Sequence, residues 1–258
     1  MTTFLFDDII FGPIKSRRFG RSLGINLLPT TSKFCNYNCI YCECGWTANN
    51  KKTKIELVDK NIVIQELKRK LILLNTENNS PDNITFAGNG EPTIHPDFEW
   101  IINQTLQLRD TYAPQSKITV LSNATMLHKS SVFKSLQKVD HNVLKLDSAI
   151  QSTYELVNQS ISKHQVKSII ENIKKFESKQ IVQTMLLRGN YEGKVIDNTT
   201  DIEINALIKA YQTIHPYKIL LYSIDRDTPA SDLEKIEAKE LQTIANKMNA
   251  NGLNVEVY

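Results

Sequence analysis

Cys35-Asn36-Tyr37-Asn38-Cys39-Ile40-Tyr41-Cys42 is the stretch on which the interpretation of this sequence depends. It places three cysteines at Cys-x3-Cys-x2-Cys spacing, and the chain of 258 residues has four cysteines in all. The fourth, Cys44, follows two residues later. Thiolates are preferred ligands of zinc and of iron–sulfur clusters. We therefore expect the rest of the chain to be a scaffold for the centre that these thiolates hold.

The composition is that of an ordinary globular protein, with 41% apolar and 23% charged residues. The first eight residues lack the regions of a secretory signal peptide, and no apolar run approaches the roughly 18 residues of a membrane span. We therefore expect a cytoplasmic protein, in which clustered cysteines bind metal or carry out redox chemistry rather than form disulfides. We also expect one domain over residues 1–258.

Positive charge is concentrated near the start of the chain. The net charge of +3 does not by itself indicate nucleic-acid binding. The basic residues Arg17, Arg18 and Arg21, however, lie in residues 1–22, which we expect to form an irregular basic lead-in. This stretch is either a solvated basic face or a site for an anionic substrate or phosphate backbone.

Apolar runs alternate with segments of helical spacing along the rest of the chain. The strands are rich in Val, Ile and Leu, as expected for a parallel sheet that is buried on both faces. The sequence thus predicts an α/β fold, a partial (β/α)6 TIM-like barrel with the cysteine loop after the first strand. Strands are predicted at residues 22–29, 84–87, 117–121, 142–146, 181–187 and 218–222. A C-terminal helix is predicted at 231–248, followed by a short strand up to residue 258.

Function in such folds is located at the carboxyl ends of the strands. Polar side chains collect at these predicted ends. They are Asn89, Glu91, Ser122, Asn123, Lys145, Asp147, Ser148, Gln183, Arg188, Tyr222 and Arg226.

The cysteines alone leave several interpretations open. Together with Cys44 they could form a four-thiolate zinc site, although zinc sites usually combine two separated Cys-x2-Cys pairs. They could also be structural thiols, but the loop is polar. A [4Fe–4S] cluster normally takes four thiolates, so three would leave one iron open, as in catalytic metal sites.

The loop resembles the signature of the radical S-adenosylmethionine (radical SAM) superfamily. The resemblance implies that Cys35, Cys39 and Cys42 hold a [4Fe–4S] cluster and that SAM chelates its fourth iron. It also places the aromatic Tyr41 near the adenine of SAM. Gly88-Asn89-Gly90-Glu91-Pro92 resembles the Gly-Gly-Glu-Pro segment whose backbone binds the SAM amino group. This sequence departs from that segment at Asn89, a residue type that tolerates a left-handed backbone.

The same resemblance suggests roles for other polar residues. Glu91 could support the loop or interact with the SAM ammonium. The ribose hydroxyls of SAM would be bound by Ser122, Asn123, Asp147 and Ser148. Lys145 and Arg188 would pair with the SAM carboxylate. For each of these residues the alternative is a loop cap or a salt bridge.

Two segments, residues 11–24 and 222–230, resemble a group of small, single-cluster Fe–S oxidoreductases related to the wybutosine tRNA-modifying branch. The implied chemistry is reductive cleavage of SAM, followed by hydrogen abstraction from the substrate. A flavodoxin or ferredoxin would donate the electron. The substrate could be tRNA or another RNA, bound through Arg17, Arg18 and Arg21. The alternatives are an activase that makes a glycyl radical on a partner protein and a non-catalytic Fe–S or zinc module.

Overall fold

The computed structural model describes residues 4–47 and 56–258. Within these residues, ten strands form one mostly parallel sheet. The strands are β1 Ile10–Ser16, β2 Gly20–Ile25, β3 Asn83–Phe86, β4 Lys117–Ser122, β5 His141–Lys145, β6 Gln180–Tyr191, β7 Lys194–Asp197, β8 Lys218–Ser223, β9 Leu233–Lys235 and β10 Val255–Val257. The helices are α1 Lys60–Thr76, α2 Phe98–Tyr112, α3 Ser130–Leu136, α4 Gln151–Asn158, α5 Val166–Lys174, α6 Asp201–Ile214 and α7 Ala238–Asn249.

The main path of the sheet runs β1-β2-β3-β4-β5-β6-β8-β10. Every neighbouring pair from β2 to β10 on this path is parallel, and β1 is antiparallel to β2. Helices connect the parallel strands, so the predicted α/β alternation is confirmed. No helix in the described ranges is long and apolar enough to cross a membrane.

The two faces of the sheet are both apolar. Leu144 and Val182 belong to the main core beneath the helices. Their neighbours in sequence, Val143 and Ile181, belong to a second cluster, which is joined by Phe19. Successive side chains of a strand point to opposite faces. The second cluster therefore covers the face away from the main core.

The prediction that residues 1–22 are irregular is wrong from Ile10 onward. Described residues of this region form the β1–β2 hairpin, whose register shifts between Phe11 and Ile14. Gly24 permits the close packing of the two strands, because a Cβ there would lie 2.1 Å from the Phe11 ring. Gly12 and Pro13 interrupt the apolar pattern of β1, so the sequence did not predict this strand.

Two further boundaries differ from the predictions. Strand β6 does not end at residue 187 but continues to Tyr191, where it pairs antiparallel with β7 and β9. The predicted helix at 231–248 instead begins with β9, and α7 starts at Ala238. Polar residues in the β6 extension resemble a loop in the sequence, but they pair with β7 across a tight turn and with the distant β9.

Candidate cluster and cofactor site

The cysteine loop follows β2 and is fastened to the segment after β3 by backbone hydrogen bonds. The Phe34 amide donates to the Asn89 carbonyl at 2.8 Å, and the Glu91 amide donates to the Phe34 carbonyl at 3.2 Å. On its other side, the Ile40 amide donates to the Val157 carbonyl at the end of α4 at 3.1 Å. The two sequence motifs are therefore one structural unit.

Glycines allow this close approach. Gly88 and Gly90 have φ angles of +147° and +142°. A Cβ on Gly90 would lie 1.9 Å from the Phe34 carbonyl oxygen, and one on Gly88 would lie 2.5 Å from Oδ1 of Asn26. Only glycine adopts this backbone without strain.

The four cysteines are free thiols and line one cavity of about 190 Å³ at the carboxyl ends of the strands. Sγ of Cys35 accepts from the Tyr37 amide at 3.4 Å and from Nδ2 of Asn123 at 3.6 Å. The Cys44 thiol donates to the Gly88 carbonyl at 3.5 Å. Within residues 4–47 and 56–258, no three His, Cys, Asp or Glu side chains surround a single metal ion.

Burial raises the pKa of the Cys35 thiol to about 12 and that of Cys39 to about 11. A hydrogen bond from Cys44, together with the nearby Lys33 ammonium, lowers the pKa of Cys42 to about 6. Lys33 is 3% exposed, and its Nζ donates to the Gly45 carbonyl at 2.9 Å. Burial lowers the pKa of Lys33, but the three predicted cluster ligands raise it by more. The net pKa is raised, so Lys33 remains a cation. No sequence motif indicated a role for Lys33.

A [4Fe–4S] cluster with SAM fits this site. Cys35, Cys39 and Cys42 provide three soft ligands around one cavity. The bare backbone of Gly88 and Gly90 also lines the cavity and leaves room that a Cβ would fill. A buried lysine beside the thiols offsets their negative charge when they bind metal.

Glu91 lines the cavity but is bound by internal donors. Its carboxylate is 2% exposed and accepts from the Thr93 amide at 3.1 Å, the Ser122 hydroxyl at 2.9 Å and the Asn123 amide at 2.6 Å. Burial raises the pKa of Glu91. These contacts support the predicted loop-supporting role, because they join the segment after β3 to the end of β4.

Asn89 has a different place from the one we expected. Its backbone is not left-handed, since the positive φ angles belong to Gly88 and Gly90. Its buried side chain accepts from the Phe6 amide at 2.9 Å and donates to the carbonyls of Phe6 and Pro29 at 3.0 and 2.8 Å. It does not line the cavity. The Asn89 side chain therefore holds the N-terminal segment against the cysteine loop.

We expect Asn89→Ala to destabilise the protein by about 1–3 kcal/mol, because partly buried backbone groups lose their partners. At this chain length the loss lowers the Tm by roughly 2–4 °C per kcal/mol. Thermal unfolding followed by circular dichroism measures the change. Asn246→Ala, at an exposed position on α7, is the matched control and should leave Tm within about 1 °C, as surface substitutions usually do. Equal Tm values for the two variants would contradict the role of Asn89.

A buried ion pair, Lys145 with Asp147, lies beside Tyr41. The Tyr41 hydroxyl donates to Oδ2 of Asp147 at 2.6 Å. Lys145 forms a salt bridge with the same carboxylate and donates to the Asn158 side chain. Burial lowers the pKa of Lys145, but nearby groups, led by the Asp147 carboxylate, together raise it by more, so the net pKa is raised. Lys145 and Tyr41 line the cavity, whereas Asp147 lies behind them.

The remaining predicted residues divide into two sets. Ser122 and Asn123 line the cavity beside the cysteines. Ser148 is buried and donates to Oε2 of Glu203 at 2.7 Å. Arg188 lies in the β6 extension, where it forms salt bridges with Glu240 and Asp197. None of Asp147, Ser148 and Arg188 lines the cavity, so the geometry does not support their predicted contacts with SAM.

A second cavity, of about 280 Å³, adjoins the first and shares Tyr41, Cys42, Cys44 and Tyr222 with it. Gln183 also lines both cavities. Gln183 and Tyr222 follow predicted strands, but no role was predicted for them. The available signal was the alternation of side chains along β6 and β8, since Gln183 lies two residues after Ile181 and Tyr222 lies two residues after Leu220, both members of the second apolar cluster.

Comparison with curated relatives gives sequence-level similarity. A UPF0026 protein of Helicobacter pylori (strain 26695) is 31% identical over 224 residues, which cover 84% of this chain and 67% of the relative. A Brachyspira hyodysenteriae protein named GTPase Obg is 28% identical over 246 residues, which cover 94% of this chain. The chain spans only 34% of that relative's length.

A solved structure gives the fold. A radical SAM methyltransferase from Sphaerobacter thermophilus superposes with a TM-score of 0.68 at 12% identity, covering 92% of this chain and 65% of the other. This likeness confirms the predicted partial barrel. The family model of the radical SAM superfamily matches residues 30–202, which include the cysteine loop and the strand ends around the cavity. Radical SAM enzymes use a [4Fe–4S] cluster and SAM, and on this evidence the chain belongs to the radical SAM superfamily.

Proposed function

We propose that this chain cleaves SAM reductively and abstracts hydrogen from a substrate bound in the adjoining cavity. The observation that carries the proposal is the joining of the cysteine loop to residues 88–91 around one cavity. When bound, a reduced [4Fe–4S] cluster supplies the electron that breaks the sulfur–C5′ bond of SAM and so generates the radical that removes hydrogen from the substrate.

The residues of the chain bind, orient and shield. Cys35, Cys39 and Cys42 would hold the cluster. Gly88 and Gly90 leave backbone accessible to SAM, as the family resemblance implies. The cations Lys33 and Lys145 place positive charge beside the thiols and the cavity, where an anionic cluster or a carboxylate is stabilised. The fixed positions of these groups favour a single orientation of the reacting atoms.

A flavodoxin- or ferredoxin-type donor for the electron, a cytoplasmic location and a single domain over residues 1–258 remain part of this proposal. The donor and the location are consistent with a cluster that needs a low-potential electron and a reducing compartment.

The test is an anaerobic assay of protein reconstituted with iron and sulfide. With SAM and dithionite, we expect 5′-deoxyadenosine to accumulate with time, measured by liquid chromatography and mass spectrometry. The same protein without dithionite is the control and should form none. Cluster-loaded protein that forms no 5′-deoxyadenosine under reductant would contradict the proposal and favour a non-catalytic Fe–S module.

In the described ranges, three arginines of the predicted basic region and its surroundings, Arg17, Arg21 and Arg226, are each bound by other residues of the chain. Arg17 pairs with Asp225 at 3.1 Å and Arg226 pairs with Glu43 at 2.8 Å. Arg21 donates to the exposed turn before β3. These contacts use charges that an RNA backbone would need. We therefore propose a small-molecule substrate ahead of RNA.

A further inference from the structure

Arg18 lies at the tip of the β1–β2 hairpin and reaches across the sheet. Its Nη1 donates to Oε1 of Gln183 at 2.8 Å. Its guanidinium carbon lies 5.1 Å from the ring centroid of Tyr222 and 5.7 Å from that of Phe19. The tip is fixed, because Oγ of Ser16 accepts from the amides of Arg18 and Phe19 at 3.3 and 3.2 Å. Arg18 therefore occupies a defined position.

No carboxylate in the described ranges balances the charge of Arg18. The sequence has seven arginines, all in the described ranges, and six of them have a carboxylate within 4.0 Å. Within the same ranges, Arg18 has none. Nearby Asp225 is already engaged by Arg17 and Lys235, at 3.1 and 3.2 Å. A cation at a partly enclosed site favours an anion from solution as its partner.

Further donors lie beside the guanidinium. In the described part of the chain, Nε and Nη2 of Arg18, Nε2 of Gln183 and the Tyr222 hydroxyl have no acceptor within hydrogen-bonding distance. All three residues line the 280 Å³ cavity. An arginine fork with neighbouring neutral donors is the arrangement that recognises planar or tetrahedral oxyanions.

The same cavity leads to the cysteine loop, since Cys42 and Tyr41 also line it. An anion bound at Arg18 would therefore fix one end of a small molecule and leave the remainder near the cluster site. A volume of about 280 Å³ is close to the lower end of the range of small-molecule pockets.

We propose that Arg18, with Gln183 and Tyr222, binds an anionic group of the substrate, either a carboxylate or a phosphate. The binding site is inferred from the residues that line the cavity. That the bound molecule is the substrate rests on the proposed function. Arg18 would be the residue that selects anionic substrates over neutral ones.

The test is calorimetric titration of reconstituted, SAM-loaded protein, without reductant, with inorganic phosphate and separately with acetate. We expect saturable binding of at least one anion to the wild type. Arg18→Gln should weaken it at least about tenfold, and Arg18→Lys should weaken it less because it keeps the charge but loses the fork. Arg21→Gln removes the same charge from the same hairpin and should change the affinity less than about twofold.

The preferred anion distinguishes a phosphate-bearing substrate from a carboxylate-bearing one. If Arg18→Gln does not fold by circular dichroism, Tyr222→Phe keeps the ring beneath the guanidinium, removes one donor and should still weaken binding. Absence of saturable binding to the wild type, or equal binding by Arg18→Gln, would overturn the inference. The titration contains no reductant, so a failure of SAM cleavage would contradict the proposed function alone.

Discussion

Cys35→Ala, Cys39→Ala and Cys42→Ala should each abolish the formation of 5′-deoxyadenosine, whereas Cys44→Ala should retain it. Each of the first three would leave a cluster with only two thiolates from the loop, and such clusters are normally held by four ligands. Cys44 is engaged with the Gly88 carbonyl at 3.5 Å and is not part of the family's three-cysteine pattern. The measurements are product formation, iron and sulfide content, and the electron paramagnetic resonance spectrum of the reduced protein.

Cys44→Ala is the matched control, because it removes a thiol from the same cavity by the same substitution. We expect it to retain about four irons per chain, the content of a [4Fe–4S] cluster. Loss of the metal from Cys44→Ala as well would indicate a four-thiolate site and favour the zinc or non-catalytic alternative.

The cluster site could be predicted because its signals are local in the sequence. The Cys-x3-Cys-x2-Cys spacing and residues 88–92 each lie in a short stretch, and each follows an apolar run that forms a parallel strand. Parallel strands bring their carboxyl ends to one edge, so the two stretches had to meet. The family and the partial barrel, both confirmed, follow from this combination.

The roles of single polar residues could not be predicted in the same way. Asn89 was expected to form a left-handed turn, but its side chain binds Phe6, which lies 83 residues away in the sequence. Arg188 follows an apolar run as a strand-end residue does, yet pairing with β9 extends β6 past it. Such contacts depend on where distant backbone groups lie, and no local pattern encodes them.

The position of Arg18 shows the same limit in the functional site. As part of a basic stretch it suggested a surface for RNA. Hairpin pairing of β1 with β2 instead directs Arg18 to Gln183, which is 165 residues away in the sequence, while Arg17 pairs with Asp225. The adjacent Arg17 and Arg18 at the hairpin tip thus face different surroundings.

Gly90→Ala should both destabilise the protein and prevent it from binding the cluster. The added Cβ would lie 1.9 Å from the Phe34 carbonyl oxygen and 2.5 Å from its carbonyl carbon, and a φ of +142° strains any residue with a side chain. Both clashing atoms belong to the backbone of the cysteine loop, so relief requires the loop to move away from residues 88–91. We expect a loss of about 3 kcal/mol, or roughly 6–12 °C in Tm. Calorimetry and iron content after reconstitution measure the two effects.

Gly193→Ala is the matched control, because Gly193 also has a positive φ of +74° but a Cβ there would meet no atom within 4 Å. It should cost about 1–2 kcal/mol of backbone strain and leave iron content unchanged. The difference between the two variants isolates the contact with Phe34. If Gly90→Ala loads iron as fully as Gly193→Ala does, then the cysteine loop keeps its ligand geometry without the close backbone approach. In that case Gly90 would be needed only for SAM binding, and the affinity for SAM would be the property that changes.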